Sequence, residues 1–290
     1  MNALRSLLFV PADSPRKLAR GLETAADVLI LDLEDAVAAS RKLEARAAAA
    51  AFVAEHANRA KSRLFVRINP LCSGLALADL AAVVGAGLAG IVLPKTREVA
   101  DIVRAAHYLD ALEAHAGLPA GQIGILPVAT ETAQAMLTMD GYRTPPPRLV
   151  GVTWGAEDLS AAIGAASNRE DDGAYSSLYL LARSMCLCAA ASSGVGAIDT
   201  LHADFRDAAG LERACRESRR RGFKGRIAIH PDQVEIINTA YSPTEDELAS
   251  ARRVVAAFDA GPGAGVVSID GVMYDLPHLK QARLTLGLES

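Results

Sequence analysis

A (β/α)8 barrel followed by a C-terminal helix–hairpin–helix extension is the fold this sequence predicts. Three observations predict it. Eight short apolar runs recur at roughly regular intervals, helical stretches separate them, and most runs end in a polar residue fit for chemistry. Strands alternating with helical spacers argue for a parallel sheet, and eight such units favour closure into a barrel. The strand ends of one barrel face converge on the site of chemistry. An enzyme is therefore the first hypothesis.

The first run, Leu7 to Val10, ends at Pro11. Ser14 or Asp13 can cap the helix behind it, with Pro15 at the first helical position and Leu18 and Leu22 on one face. The second run, Val28 to Leu33, ends at Glu34 and Asp35 and leads to an Ala-rich helix over 43–54. The third, Leu64 to Val66, ends at Arg67 and Asn69; its helix, 77–85, stops at Gly85 or Gly87. The fourth, Ile91 to Leu93, ends at Pro94 and Lys95 before an amphipathic helix over 97–115. The fifth, Ile123 to Val128, ends at Glu131, and Thr132 to Met139 follows as a helix at once. The sixth, Leu149 to Trp154, ends at Glu157 and Asp158, with a strongly apolar helix over 177–193 beyond. The seventh, Val195 to Ile198, ends at Asp199 and His202 before an Arg-rich, solvated helix over 209–221. The eighth, Ile227 to Ile229, ends at His230.

After the eighth run the pattern changes. Pro231 opens a helix carrying Val234, Ile236 and Ile237. A second follows Pro243, where Thr244 and Glu247 are spaced as a capping box. Gly261 to Gly265 reads as a hinge, Val266–Ile269 and Val272–Tyr274 as a hairpin about Asp270-Gly271, and the last helix starts near Pro277. The boundary expected is a barrel over 1–242 and an extension over 243–290. So small an extension buries little alone. It is expected to pack over the mouth of this barrel or of a neighbouring subunit's.

Composition narrows the functional classes. The chain has 290 residues, 51% of them hydrophobic, enough for a large core. A net charge of −4 gives no broad basic face, which argues against nucleic acid as the partner. The apolar stretch near Cys186 to Val195 is rich in Ala and Ser and follows Arg183, so it reads as a buried helix and not a membrane span. The N-terminal apolar run before Asp13 is too short for a signal peptide. Cys72, Cys186, Cys188 and Cys215 form no CxxC pair, which fits free thiols in a reducing cytoplasm.

Among the polar tips, Glu131 and Asp158 follow consecutive strands and should share one rim. Two converging carboxylates repel unless a proton or cation is shared, and a hard ion such as Mg2+ suits them. The same acids could simply complement helix N-termini. Arg67, in FVRIN, could hold a carboxylate by paired hydrogen bonds or could form a salt bridge to Glu34 or Asp35. Lys95 reads as a Schiff-base lysine, a cation in the site, or a rim lysine paired with Glu34. His202 and His230 could be general bases or packing residues. No GxSxG elbow or Gly-rich phosphate loop is present.

The segments RSLLFVPADSPRKLARG, LILDLEDAV, FVRIN, VLPK, TETA, GAEDL, IHPDQ and GVMYDLPHLKQA occur in this order along nearly the whole chain. Together they resemble the citrate lyase β-subunit-like proteins of the HpcH/HpaI aldolase superfamily. The resemblance implies a TIM barrel, Mg2+, and cleavage or formation of a C–C bond in a short acyl-CoA thioester of the citryl-, malyl- or citramalyl-CoA type. It places metal ligands on Glu131 and Asp158, the carboxylate-binding arginine on Arg67, and an acid/base on Asp275. Glu34 and Asp35 would support Arg67 and the metal's waters. CoA would meet Pro11, Arg16 and Lys17, although Ala12 and Ser14 depart from the usual pattern there. A homotrimer or hexamer is implied, with the C-terminal element closing a neighbour's site. A CoA-independent class II aldolase on 2-oxo acids, a malyl-CoA-type thioesterase and a subunit of a larger lyase complex are the alternatives.

Overall fold

The computed structural model describes residues 4–57, 61–261 and 263–288. Its elements run β1 (Ser6–Pro11), α1 (Pro15–Leu22), β2 (Val28–Asp32), α2 (Lys42–His56), β3 (Arg63–Arg67), α3 (Ala76–Val83), β4 (Leu88–Leu93), α4 (Val99–Ala116), β5 (Gly124–Pro127), α5 (Ala133–Leu137), β6 (Gly151–Thr153), α6 (Glu157–Ile163), α7 (Ser177–Ser192), β7 (Gly196–Asp199), α8 (Ala208–Arg221), β8 (Gly225–Ala228) and α9 (Gln233–Tyr241). A second compact unit begins at Ser242 and holds α10 (Glu245–Ala260), β9 (Val266–Ile269), β10 (Val272–Asp275) and α11 (Leu276–Thr285).

The eight parallel strands of the first unit run in the order β5-β4-β3-β2-β1-β8-β7-β6. The gap between β5 and β6 is spanned by parallel bridges at Ile125–Leu149 and Val128–Thr153. Ala129 N donates to Thr153 O (2.8 Å) across this seam, which closes the (β/α)8 barrel. The expected fold class therefore holds. Strand residues divide by parity, as a pleated strand between two packed surfaces requires. Leu7, Ile30, Phe65, Val92, Leu126 and Ile198 belong to the cluster that fills the barrel. Leu8, Leu29, Leu31, Val66 and Ile91 pack outward with the helices.

Local details adjust the expectations. Ser14 sits at the cap of α1 with Pro15 behind it, yet its side chain makes no capping bond. Asp13, the other capping candidate, instead pairs with Arg41 at 2.8 Å. A helix over Glu157–Ile163 follows β6 immediately, where the sequence reading placed only two acidic tips. Cys186 and Cys215 are buried, Cys72 and Cys188 exposed, and all four thiols are free. Among the described residues no helix is long and apolar enough to cross a membrane.

In the C-terminal unit, Thr244 and Glu247 form the anticipated capping box at the start of α10. Ala251, Val254 and Phe258 of α10 pack on Leu279 and Ala282 of α11. β9 and β10 pair antiparallel about Asp270 (φ 52°) and Gly271 (φ 79°). Two consecutive positive φ values are what a tight primed turn demands, and Gly271 meets the second without a Cβ penalty. Pro262, inside the expected hinge, lies outside the described residues.

Candidate active site

The C-terminal strand ends carry a dense charged cluster, built by β2, β3, β4 and the segments following β5 and β6. Asp32 and Arg67 end adjacent strands and stand in direct register. Arg67 donates from Nε to Asp32 Oδ1 (2.7 Å) and from Nη2 to Asp32 Oδ2 (2.6 Å), a two-pronged pairing. Its Nη1 lies 3.0 Å from Glu34 Oε2, and the guanidinium rests on the Phe9 ring, 4.6 Å from the centroid. Burial works against the Arg67 charge, but Asp32 and Glu34 outweigh it and push its pKa up. Arg67 is thus a fixed cation.

Lys95 joins the cluster from a left-handed backbone conformation (φ 49°), uncommon for a residue with a side chain. Its backbone N–H donates to Glu131 Oε2 at 2.6 Å. Its ammonium donates to Glu34 Oε1 (2.5 Å) and Asp35 Oδ2 (3.0 Å) and lies 3.2 Å from Asp158 Oδ1. Lys95 therefore touches acids contributed after three different strands. Its pKa is raised because these carboxylates outweigh burial, so the side chain is an ammonium and not a free amine poised for Schiff-base chemistry. The rim-lysine reading, with Glu34 as partner, matches the observed contact.

Glu131, in the segment after β5, is 5% exposed. Burial, then the charge of Asp158, push its carboxyl up to about 8. Gly155 makes room for it: a Cβ there would stand 2.8 Å from Glu131 Cγ and 2.9 Å from Oε1. Glu34 is also raised, chiefly by burial. The hydroxyls of Thr130, beside Glu131, and of Thr153, at the end of β6, are buried without a hydrogen-bond partner. A carboxylate disfavoured by burial and by a second acid fits the neutralising role of a divalent cation. The donor set is all oxygen, as Mg2+ prefers.

Of the other sequence candidates, Asp35 touches Lys95, and the strongest partner of Arg67 is Asp32, which the sequence reading missed. The available signal was a charged residue inside the otherwise apolar LILDL run, level with the arginine of FVRIN. Pro11 ends β1, while Arg16 and Lys17 are exposed on α1. Asp275 caps α11 and shares a capping box with His278. The hydrogen bond from His278 holds the Asp275 carboxyl below its ordinary value. Asp199 is buried outside the barrel lining, accepting from Arg183 Nη2 (2.7 Å), Arg226 Nη2 (2.6 Å) and Trp154 Nε1 (2.7 Å). Its role is a buried charge pairing. His202 Nε2 lies 3.4 Å from Asp207 Oδ2, and its pKa is lowered by burial and by Arg226. The His230 ring stacks on Phe205 at 4.8 Å, which fits the packing alternative for this residue.

Comparison with known proteins places this geometry. The family model described as HpcH/HpaI aldolase/citrate lyase matches residues 5–231. The citrate lyase subunit beta-like protein of Mycobacterium tuberculosis is 36% identical over 279 residues, covering 96% of this chain and 93% of that protein. The (3S)-malyl-CoA thioesterase of Cereibacter sphaeroides is 33% identical over 287 residues, covering 98% and 94% respectively. The structure of CitE from Mycobacterium tuberculosis in complex with magnesium, acetoacetate and coenzyme A superposes with a TM-score of 0.79 at 34% identity, over 99% of this chain and 98% of that one. With a closed barrel, the acidic rim and similarity along nearly its whole length, the chain belongs to the HpcH/HpaI aldolase/citrate lyase family.

Proposed function

We propose that the protein is a Mg2+-dependent lyase acting on a short 3-hydroxyacyl-CoA thioester of the citryl-, malyl- or citramalyl-CoA type. It would cleave, or in reverse form, the C–C bond between an acyl-CoA such as acetyl-CoA and a 2-oxo acid. The observation that carries this reading is the Glu131 carboxyl, buried, held by the Lys95 N–H and pushed up to about 8 by burial and Asp158. Glu131 and Asp158 are the residues that would hold the ion. When bound, Mg2+ supplies Lewis-acid stabilisation of negative charge on the substrate's hydroxyl or oxo oxygen. The magnesium and coenzyme A in the related mycobacterial structure support the assignment.

The chain's own groups supply the rest. Arg67 has five N–H donors; two are committed to Asp32, while Glu34 Oε2 lies 3.0 Å from Nη1 as an ion pair. The remaining donors can take a substrate carboxylate, with Asp32 and Glu34 holding the guanidinium in place. Glu34 and Asp35 position Lys95 as well. Asp275, kept ionised by His278, suits the base that accepts the hydroxyl proton. As the C–C bond breaks, its electron pair passes to the acyl-CoA as an enolate, and the proton returns to the acyl α-carbon. Pro11, Arg16 and Lys17 would meet the CoA moiety, with the two cations facing its phosphates. The C-terminal unit would bring Asp275 to a neighbouring subunit's barrel in a trimer or hexamer. Four free thiols suit a reducing, cytoplasmic setting.

The test is a product-detecting assay of citryl-, malyl- and citramalyl-CoA with Mg2+, applied to wild type, Glu131→Ala and Asp158→Ala. Loss of turnover in both variants is expected, and near-native turnover in either overturns the metal assignment. Charge removal at Arg16 and Lys17 should raise KM for the thioester and leave kcat nearly unchanged. The similarity to a (3S)-malyl-CoA thioesterase favours one second reading, in which water cleaves the thioester. Free CoA with a hydroxy acid, instead of acyl-CoA with a 2-oxo acid, would select it.

A further inference from the structure

We infer that Lys95 is a positioning residue that competes with the metal: its ammonium holds Asp158 until a divalent cation takes that carboxylate, and so sets how tightly the cation binds. This rests on the reading of Glu131 and Asp158 as the metal pair. The ammonium has three donors, and three carboxylates surround it: Glu34 at 2.5 Å, Asp35 at 3.0 Å and Asp158 at 3.2 Å. With two donors committed to Glu34 and Asp35 and the charge paired with Asp158 as well, the side chain is not a free substrate anchor.

The backbones that carry both metal-binding candidates are placed without that ammonium. Glu131 is held by the Lys95 backbone N–H and by the space at Gly155. Asp158 belongs to the first turn of α6, whose helix places its backbone. Removing the Lys95 charge therefore leaves the Glu131 carboxyl and the Asp158 backbone in place and takes a cation from beside both acids. Among the described residues of the cluster Arg67 is then the remaining cation, and it is paired with Asp32 and Glu34. A rim with more uncompensated negative charge is less stable when empty and binds a divalent ion more tightly. The lysine thus keeps the empty rim folded at the expense of metal affinity, and Asp158 is the group exchanged between the two cations.

The experiment is calorimetric titration of the full chain with Mg2+, and melting in EDTA and in excess Mg2+, for wild type, Lys95→Met, Lys95→Gln and Lys95→Arg. The Met and Gln variants should bind Mg2+ about tenfold more tightly or better, melt lower in EDTA and gain more from Mg2+. The Arg variant should return both properties toward wild type. A folded Met or Gln variant with unchanged or weaker Mg2+ affinity overturns the inference. The Gln variant, which keeps a hydrogen-bond donor without the charge, decides the matter if Met fails to fold. Glu131→Gln separates the two layers of argument. If wild type binds Mg2+ and this variant does not, the metal reading stands whatever Lys95 does. If wild type binds no Mg2+, the metal reading falls and takes this inference with it.

Discussion

Without metal, the stability of this protein should fall as pH rises from about 6 to about 8.5, and Glu131 should be the main cause. Burial and Asp158 raise its carboxyl from the usual 4.5 to about 8. A carboxyl with a raised folded-state pKa favours its protonated form in the folded protein. Its contribution is full below the unfolded value of 4.5 and is lost as pH climbs through about 8. At roughly 1.4 kcal/mol per unit the whole window is worth about 5 kcal/mol, of which about 2–3 kcal/mol falls between pH 6 and pH 8.5. Glu131→Gln keeps the size of the side chain and an oxygen for the Lys95 N–H, but it cannot ionise. Urea unfolding of both proteins in EDTA at the two pH values measures the effect as a difference of differences, which cancels other titrating groups. The variant should gain about 2–3 kcal/mol on wild type between the lower and the higher pH. Saturating Mg2+ should remove that advantage, because the ion stabilises the wild-type carboxylates and has lost a ligand in the variant. Parallel pH dependence of the two proteins in EDTA would refute the reasoning.

Other consequences follow from single contacts. Gly155→Ala puts a Cβ 2.8 Å from Glu131 Cγ and should weaken Mg2+ binding about tenfold or more by calorimetry, with a stability loss of about 1–3 kcal/mol. Arg67→Lys retains the charge but loses the two-pronged pairing to Asp32. It should cost about 2–4 kcal/mol in urea unfolding and raise KM for the carboxylated substrate. Asp199→Asn removes the carboxylate that buried Arg226 shares with Arg183, which keeps only the 3.4 Å contact to Glu217, and should cost about 3–5 kcal/mol. Because Asp199 lies outside the acidic rim, the folded fraction of this variant should keep its Mg2+ affinity, and a loss of affinity would contradict that separation.

The strand–helix order was legible in the chain because each strand packs on both faces, so it must be a short unbroken apolar run. The runs ending at Arg67, Glu131 and Asp158 marked the rim for the same reason: a charged residue ends a buried strand where the chain emerges at the barrel mouth. Capping geometry was also local, as Thr244 and Glu247 show. What the runs could not carry was pairing. Asp32 lies inside the Val28–Leu33 apolar run and not at its tip, and its partnership with Arg67 depends on the register of β2 against β3, which sequence spacing does not encode. Lys95 offered several readings until its backbone dihedral and its neighbours after β2, β5 and β6 came together. Asp199 looked like one more rim acid, but strand parity sends it to the helical side, where two arginines enclose it. Strand identity follows from short-range periodicity of apolar residues. The charge network depends on contacts between segments far apart in the chain, and strand pairing together with barrel closure brings those segments within hydrogen-bonding distance.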